Sequence, residues 1–228
     1  LDLSPRLDSV QRAMIDGILE TTFPGSSWTW EWLSRGGGRI DRLSVWVGSL
    51  SSDSPNRCIR MGRKRVISSI EGRGSGANST SFGSMMEIPR GAYLTIVDPV
   101  LIESGLQGSW HDKAITSGTG SSWVRTEGRR PLLIHTDEIS NDDDVRGFVV
   151  ATGQIVQHRL SPPELNTIDQ VASSVARKGI SKITLRCNLD PNIHPTLQRR
   201  ITQELKGSEG TKGFMVDMEV ERPSGAQK

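Results

Sequence analysis

Cysteine occurs only twice in 228 residues, at Cys58 and Cys187, and tyrosine only once. Two thiols build neither a disulfide framework nor a cysteine-bound zinc cluster. Both fall in strand-like patterns, so buried free thiols and an intracellular setting (host cytoplasm or nucleus) are expected. Hydrophobic residues are scarce too, at 34%, and no apolar run approaches the roughly 18 residues of a membrane-spanning helix. The opening LDLSPRLDSV mixes acid and base and does not resemble a leader peptide. Neither sign of charge dominates: the balance is +2, so only the distribution of charge can point to a polyanionic partner. Catalytic motifs are missing as well, with no G-x-S-x-G elbow, no G-x-x-x-x-G-K-[ST] phosphate loop, no HExxH and no CxxC. His111, His135, His158 and His194 are never at metal-ligand spacing. The expectation is a non-enzymatic chain with no metal and no cofactor.

The patterning that is present predicts an α+β fold. Ser4-Pro5 opens a helix carrying Leu7, Val10, Met14 and Ile18 inward, with Arg12, Asp16 and Glu20 opposite. From residue 42 the period changes to two. RLSVWVGSL turns Leu43, Val45 and Val47 to one face, RCIRMGRKRVISSI (57 to 70) is expected as a strand with a basic centre, and GAYLTIVDP stops at Asp98-Pro99. RRPLLIHTDEI and RGFVVATGQIVQHRL are predicted strands joined by an acidic SNDDD turn. After that the chain alternates elements. Ser161-Pro-Pro-Glu164 is a capping box for a helix with Leu165, Ile168, Ala172 and Val175 inward, and KITLRCNL is a strand. His194-Pro195 starts a helix with a Leu197, Ile201 and Leu205 stripe. GFMVDMEVE closes as a strand with Phe214, Val216, Met218 and Val220 inward. These elements predict one domain over residues 1–228: a mostly antiparallel sheet core, an N-terminal helix, and two C-terminal helices packed on one face or end. A subdivision would fall near Ser161, between a β-rich 1–160 and a helix-strand-helix-strand 161–228.

Three constellations stand out. In SSWTWEWLS, Trp28, Trp30 and Trp32 share one side of an extended segment. They could fill a core short of aromatics, anchor a neighbouring subunit, stack bases, or touch a membrane surface. Arg57, Arg60, Arg63, Lys64, Arg65 and Arg73 oppose only Glu71. A strand so charged on both faces belongs at an edge or on a projecting ribbon, where it guards the sheet or grips phosphates. Asp137, Glu138, Asp142, Asp143 and Asp144 form the acidic counterpart, suited to a solvated turn, a partner contact, or a divalent-metal site. Two weaker outlines are set aside. Gly72-Arg-Gly74-Ser-Gly76-Ala77 lacks the helix that a dinucleotide turn requires. His111-Asp112 with Ser121-Ser122 draws a nucleophile, base and orienter from a serine-rich chain, where such drawings carry little weight.

Residues 83 to 101, GSMMEIPRGAYLTIVDPVL, resemble the strand-aspartate region of the plant viral movement proteins of the 30K superfamily, with Asp98 as the recurrent aspartate. The resemblance implies a jelly-roll-like β domain that binds single-stranded nucleic acid cooperatively. Three functions are therefore in play. The first is a self-assembling structural protein of viral matrix or coat type, found in the virion. There Trp28, Trp30, Trp32, Asp142, Asp143 and Asp144 serve as subunit contacts, and the basic residues meet nucleic acid or a nucleocapsid protein. The second is a nucleic-acid-binding protein using Arg57, Arg60, Arg63, Lys64, Arg65 and Arg73. The third is a metal-dependent enzyme built on Asp137 to Asp144.

Overall fold

The computed structural model describes residues 1–5, 7–74, 88–116 and 120–218. The chain divides into two compact units, Leu1–Gly83 with Ala92–Thr152, and Ser84–Gly91 with Gly153–Lys228. The α+β class holds in both.

The first unit runs β1 (Asp2–Leu3), α1 (Ser9–Thr22), β2 (Trp28–Ser34), β3 (Arg42–Val47), β4 (Asn56–Met61), β5 (Val66–Gly72) and β6 (Tyr93–Val97). It continues through α2 (Val100–Glu103), α3 (Gln107–Ala114), β7 (Ser121–Arg125), β8 (Leu132–His135), α4 (Asp143–Arg146) and β9 (Val149–Gln154), whose last two residues fall in the second unit. The strands make a five-stranded sheet ordered β1-β3-β2-β4-β5 and a four-stranded sheet ordered β7-β8-β6-β9. Only β2 and β4 pair in parallel in the first sheet. Its core takes Trp30, Trp32, Leu43, Val45, Cys58 and Ile70 from that sheet, and Leu101, Leu106, Trp110 and Phe148 from the segments around α2, α3 and α4. Trp110, fully buried, donates its indole N–H to the Val145 carbonyl at 3.1 Å, so its one polar atom is satisfied.

Three expectations fail in this unit. Helix α1 starts at Ser9 under an Asp8 cap, where Asp8 and Gln11 form a reciprocal capping box; Ser4-Pro5 does not open it. Its orientation is also reversed. Val10, Met14 and Ile18 are 68%, 66% and 61% exposed, while Arg12 and Asp16 turn inward and Leu19 is buried. The acidic SNDDD is no hairpin turn, because β8 and β9 are not neighbours: β6 lies between them, and Asp142 caps the short α4 on the crossing.

The second unit is α5 (Ile168–Ala176), β10 (Ile180–Leu185), α6 (His194–Glu204) and β11 (Thr211–Met215), with β10 and β11 in parallel. Ile168, Val171, Ala172 and Val175 of α5 and Leu197 and Ile201 of α6 bury against Ile183, Leu185 and Met215. Both helices cover that one face, as their 3.6-residue apolar spacing requires. Two details differ from expectation. The Ser161 to Glu164 box does not form; α5 begins after Thr167, whose hydroxyl donates to the Pro162 carbonyl at 2.6 Å, and Leu165 is exposed. In β11 the inward residue is Met215, so Phe214 has the opposite parity; the strand ends there, Val216 and Met218 follow it half-buried, and Val220 lies outside the described residues.

Candidate nucleic-acid interface

Residues 57 to 70 form two strands, not one. Met61 pairs with Val66, and the Gly62 amide donates to the Arg65 carbonyl at 2.8 Å, closing a tight turn of Gly62, Arg63, Lys64 and Arg65. Arg63, Lys64 and Arg65 therefore stand at the tip of the β4–β5 hairpin, all exposed. The tip has no acidic partner within ion-pair distance among the described residues.

The six basic residues do not act together. Arg57 lies directly across from Glu31 on the parallel β2–β4 ladder, and its Nε donates to Glu31 Oε2 at 2.7 Å. Glu71 approaches the same guanidinium at 3.4 Å. Arg60 turns inward toward Asp98 (Nε to Oδ2, 3.8 Å) and donates to the Ser34 and Met61 carbonyls. Arg73 is exposed just past the far end of β5, about 20 Å of strand from the tip. What remains of the predicted ribbon is a compact tripositive tip.

Asp98 holds the base of this arrangement. It is 1% exposed, accepts Ser34 Oγ at 2.6 Å and the Val100 amide at 3.1 Å, and its own amide bonds the Phe148 carbonyl. Burial pushes its carboxyl above the usual carboxylate range, against the lowering effect of the Ser34 and Val100 hydrogen bonds and of Arg60. Gly36, at φ +88°, donates to Ser34 Oγ at 2.9 Å. A Cβ there would meet the Arg60 guanidinium, and the left-handed backbone itself favours glycine.

The tryptophans fill the core. Trp30 and Trp32 are buried within the chain, 6.1 Å apart between ring centroids; Trp28 is half-buried. The Trp28 and Trp30 indoles both donate to Asp16 Oδ1, at 2.8 and 2.9 Å, and the Arg12 guanidinium lies 5.8 Å from the Trp32 ring. This docking of polar groups on indoles explains why α1 is reversed. Trp30 and Trp32 line a cleft of about 440 Å³ together with Arg12, Asp16, Asn56 and Gln107.

The acidic residues are dispersed. Asp142 accepts the Asp144 amide as a helix cap, Glu138 accepts the Tyr93 hydroxyl, and among the described residues no three His, Cys, Asp or Glu are grouped to hold a metal ion. Sequence reasoning gave little weight to one pair that the fold does bring together: His111 Nε2 lies 2.6 Å from Ser121 Oγ. Asp112 is 3.6 Å from Nδ1, beyond a hydrogen bond, and its side chain is exposed. Deeper in the four-stranded sheet, His135 donates from Nδ1 to the Asp137 carbonyl, so its Nε2 accepts from Thr95, which in turn bonds Thr152. Burial lowers the His135 pKa.

No family model, curated protein or solved structure matches this chain. The likeness to movement proteins rests on residues 83 to 101 alone, of which 83 to 87 lie outside the described residues. Among the described residues no helix is long and apolar enough to cross a membrane.

Proposed function

We propose that this protein binds nucleic acid without catalysing a reaction on it, gripping the phosphodiester backbone with the β4–β5 hairpin tip. The observation that carries this reading is the exposed Arg63-Lys64-Arg65 turn, three consecutive cations at the tip of the β4–β5 hairpin with no carboxylate within ion-pair distance among the described residues. Charges so placed meet phosphates with little reorganisation, and binding releases counterions from the strand. Arg57 and Arg60 support the ribbon from inside. The test is Arg63→Gln/Lys64→Gln/Arg65→Gln, read by fluorescence anisotropy with labelled oligo(U) across a salt series. Affinity at moderate salt should fall roughly 30-fold, and the slope of log K against log salt should lose about 2, as expected for three single-strand contacts. Unchanged affinity would overturn the reading, since these exposed residues carry no part of the core.

A second reading, self-association of a viral structural protein, is favoured by helix α1. Docked through Asp16 and Arg12, it leaves Val10, Met14 and Ile18 in the open, beside Gly17, where nothing lies within 4 Å of a built Cβ. Such a stripe suits a second copy of the same helix across a two-fold axis. Light scattering should show a concentration-dependent rise in mass, with the dissociation constant weakened at least tenfold by Met14→Glu. A wild-type monomer at every concentration would dismiss this second reading and leave the first standing.

A further inference from the structure

The second unit has an open sheet face. Ile183, Leu185 and Met215 point into the helices, so the residues of opposite parity on β10 and β11 point away from them. On that outward face Lys182 lies directly opposite Lys212, and the next pair along is Thr184 opposite Phe214. Lys182, Thr184 and Lys212 are exposed and Phe214 is half-buried. Like charges facing each other across a ladder are unfavourable, and neither ammonium has a carboxylate within ion-pair distance among the described residues. A bound anion would relieve both at once.

We infer that this face is a second binding site for single-stranded nucleic acid, with Lys182 and Lys212 on a phosphate and Phe214 stacked on a base; the inference rests on the nucleic-acid reading above. Charge alone would serve as a guard on an open sheet and would need no aromatic beside it. Here a ring stands next to the lysine pair, one strand spacing of about 4.8 Å from Thr184. The ring is half-buried, and where the chain passes it the neighbour is Gly153, whose built Cβ would stand 3.5 Å from Phe214 Cε1. A larger side chain there would lie over the phenyl edge. Bases offer their faces for stacking only when unpaired, which selects a single strand over a duplex.

The experiment uses the full chain and labelled oligo(U), comparing wild type, Lys182→Gln/Lys212→Gln, Phe214→Leu and the hairpin-tip variant. The lysine variant should bind roughly tenfold more weakly with the salt slope reduced by about 1.4. Phe214→Leu should also lose about tenfold, but with the slope unchanged, since stacking releases no counterions. Thermal unfolding of each variant separates lost binding from lost fold, and the lysine variant, altered only at exposed positions, keeps the test open if Phe214→Leu is unstable. Loss at the hairpin tip with wild-type affinity in the lysine variant overturns this site and leaves the proposed function intact. A wild-type protein that does not bind overturns both. Oligo(U) affinity that is unchanged in the lysine variant, alongside lost sedimentation with phosphatidylserine vesicles, would assign the face to a lipid surface and likewise overturn the inference.

Discussion

Asp98→Ala lowers the free energy of unfolding by about 3 to 5 kcal/mol, the range found when one member of a buried charged pair is removed. The carboxylate gathers Ser34 Oγ, the Val100 amide and the Arg60 guanidinium, which come from β2, the start of α2 and β4. Truncation leaves the buried Ser34 hydroxyl without its acceptor and Arg60 without its counter-ion, with only the Ser34 and Met61 carbonyls left to it. Urea unfolding followed by tryptophan emission measures the loss; a cost below about 1 kcal/mol would mean that water replaces the carboxylate. The same residue carries a pH signature. Because burial raises the folded carboxyl above its unfolded value, the folded protein binds the proton more tightly in that window. This group's contribution to stability therefore rises as the pH falls through the folded value, and levels off once the unfolded carboxyl is protonated too. Asp98→Asn cannot titrate there, so the stability of wild type relative to Asp98→Asn rises on acidification.

Gly147→Val costs roughly 3 kcal/mol, at the upper end of what overpacking produces. Helix α4 presses against β5, and a Cβ on Gly147 would fall 1.5 Å from Ser68 Oγ and 2.6 Å from Ser68 Cβ. Ser68 also donates to the Asp143 carbonyl at 2.7 Å, so the contact that excludes a side chain is the one that fastens the helix. Ser68→Ala in the same background should recover part of the loss, because the two positions share one space and their effects do not add. Wild-type stability in Gly147→Val would show that α4 can lift away freely. β5 is the outer strand of its sheet, so a lifted α4 would also leave part of an unpaired edge uncovered, and the variant should aggregate on mild heating.

Elements whose apolar spacing met a matching surface were legible in the amino-acid sequence. Leu197, Ile201 and Leu205 in and just after α6, and Ile183, Leu185 and Cys187 in and after β10, are buried as their periods predict. Helix α1 was legible as a helix but not in orientation. Periodicity ranks side chains by hydropathy, whereas here two indole N–H groups needed an acceptor and Asp16 supplied it, so the charged side went inward. The hairpin was hidden because M-G-R-K-R-V carries none of the Asn-Gly or Asp-Gly pairs that mark tight turns. Continuous strand parity across that turn would put Arg63 and Arg65 on the face of Arg57, which is paired with Glu31. The basic site was visible as composition and invisible as geometry. In β11, Phe214 and Met215 are both apolar and adjacent, so the pattern alone left the strand free to slip by one residue.

The two cysteines give the molecule a pair of internal clocks. Cys58 lies in the first unit and Cys187 in the second, both buried. Burial pushes the Cys58 thiol up to about 12, so the thiolate that reacts with alkylating reagents is almost absent in the folded protein. The Cys187 thiol is held against the Met215 carbonyl. Labelling at each position therefore advances only when its own unit opens, and mass spectrometry of the two peptides reads two opening rates from one sample. An oligonucleotide seated on the hairpin tip would slow the first clock, and one seated on the β10–β11 face the second.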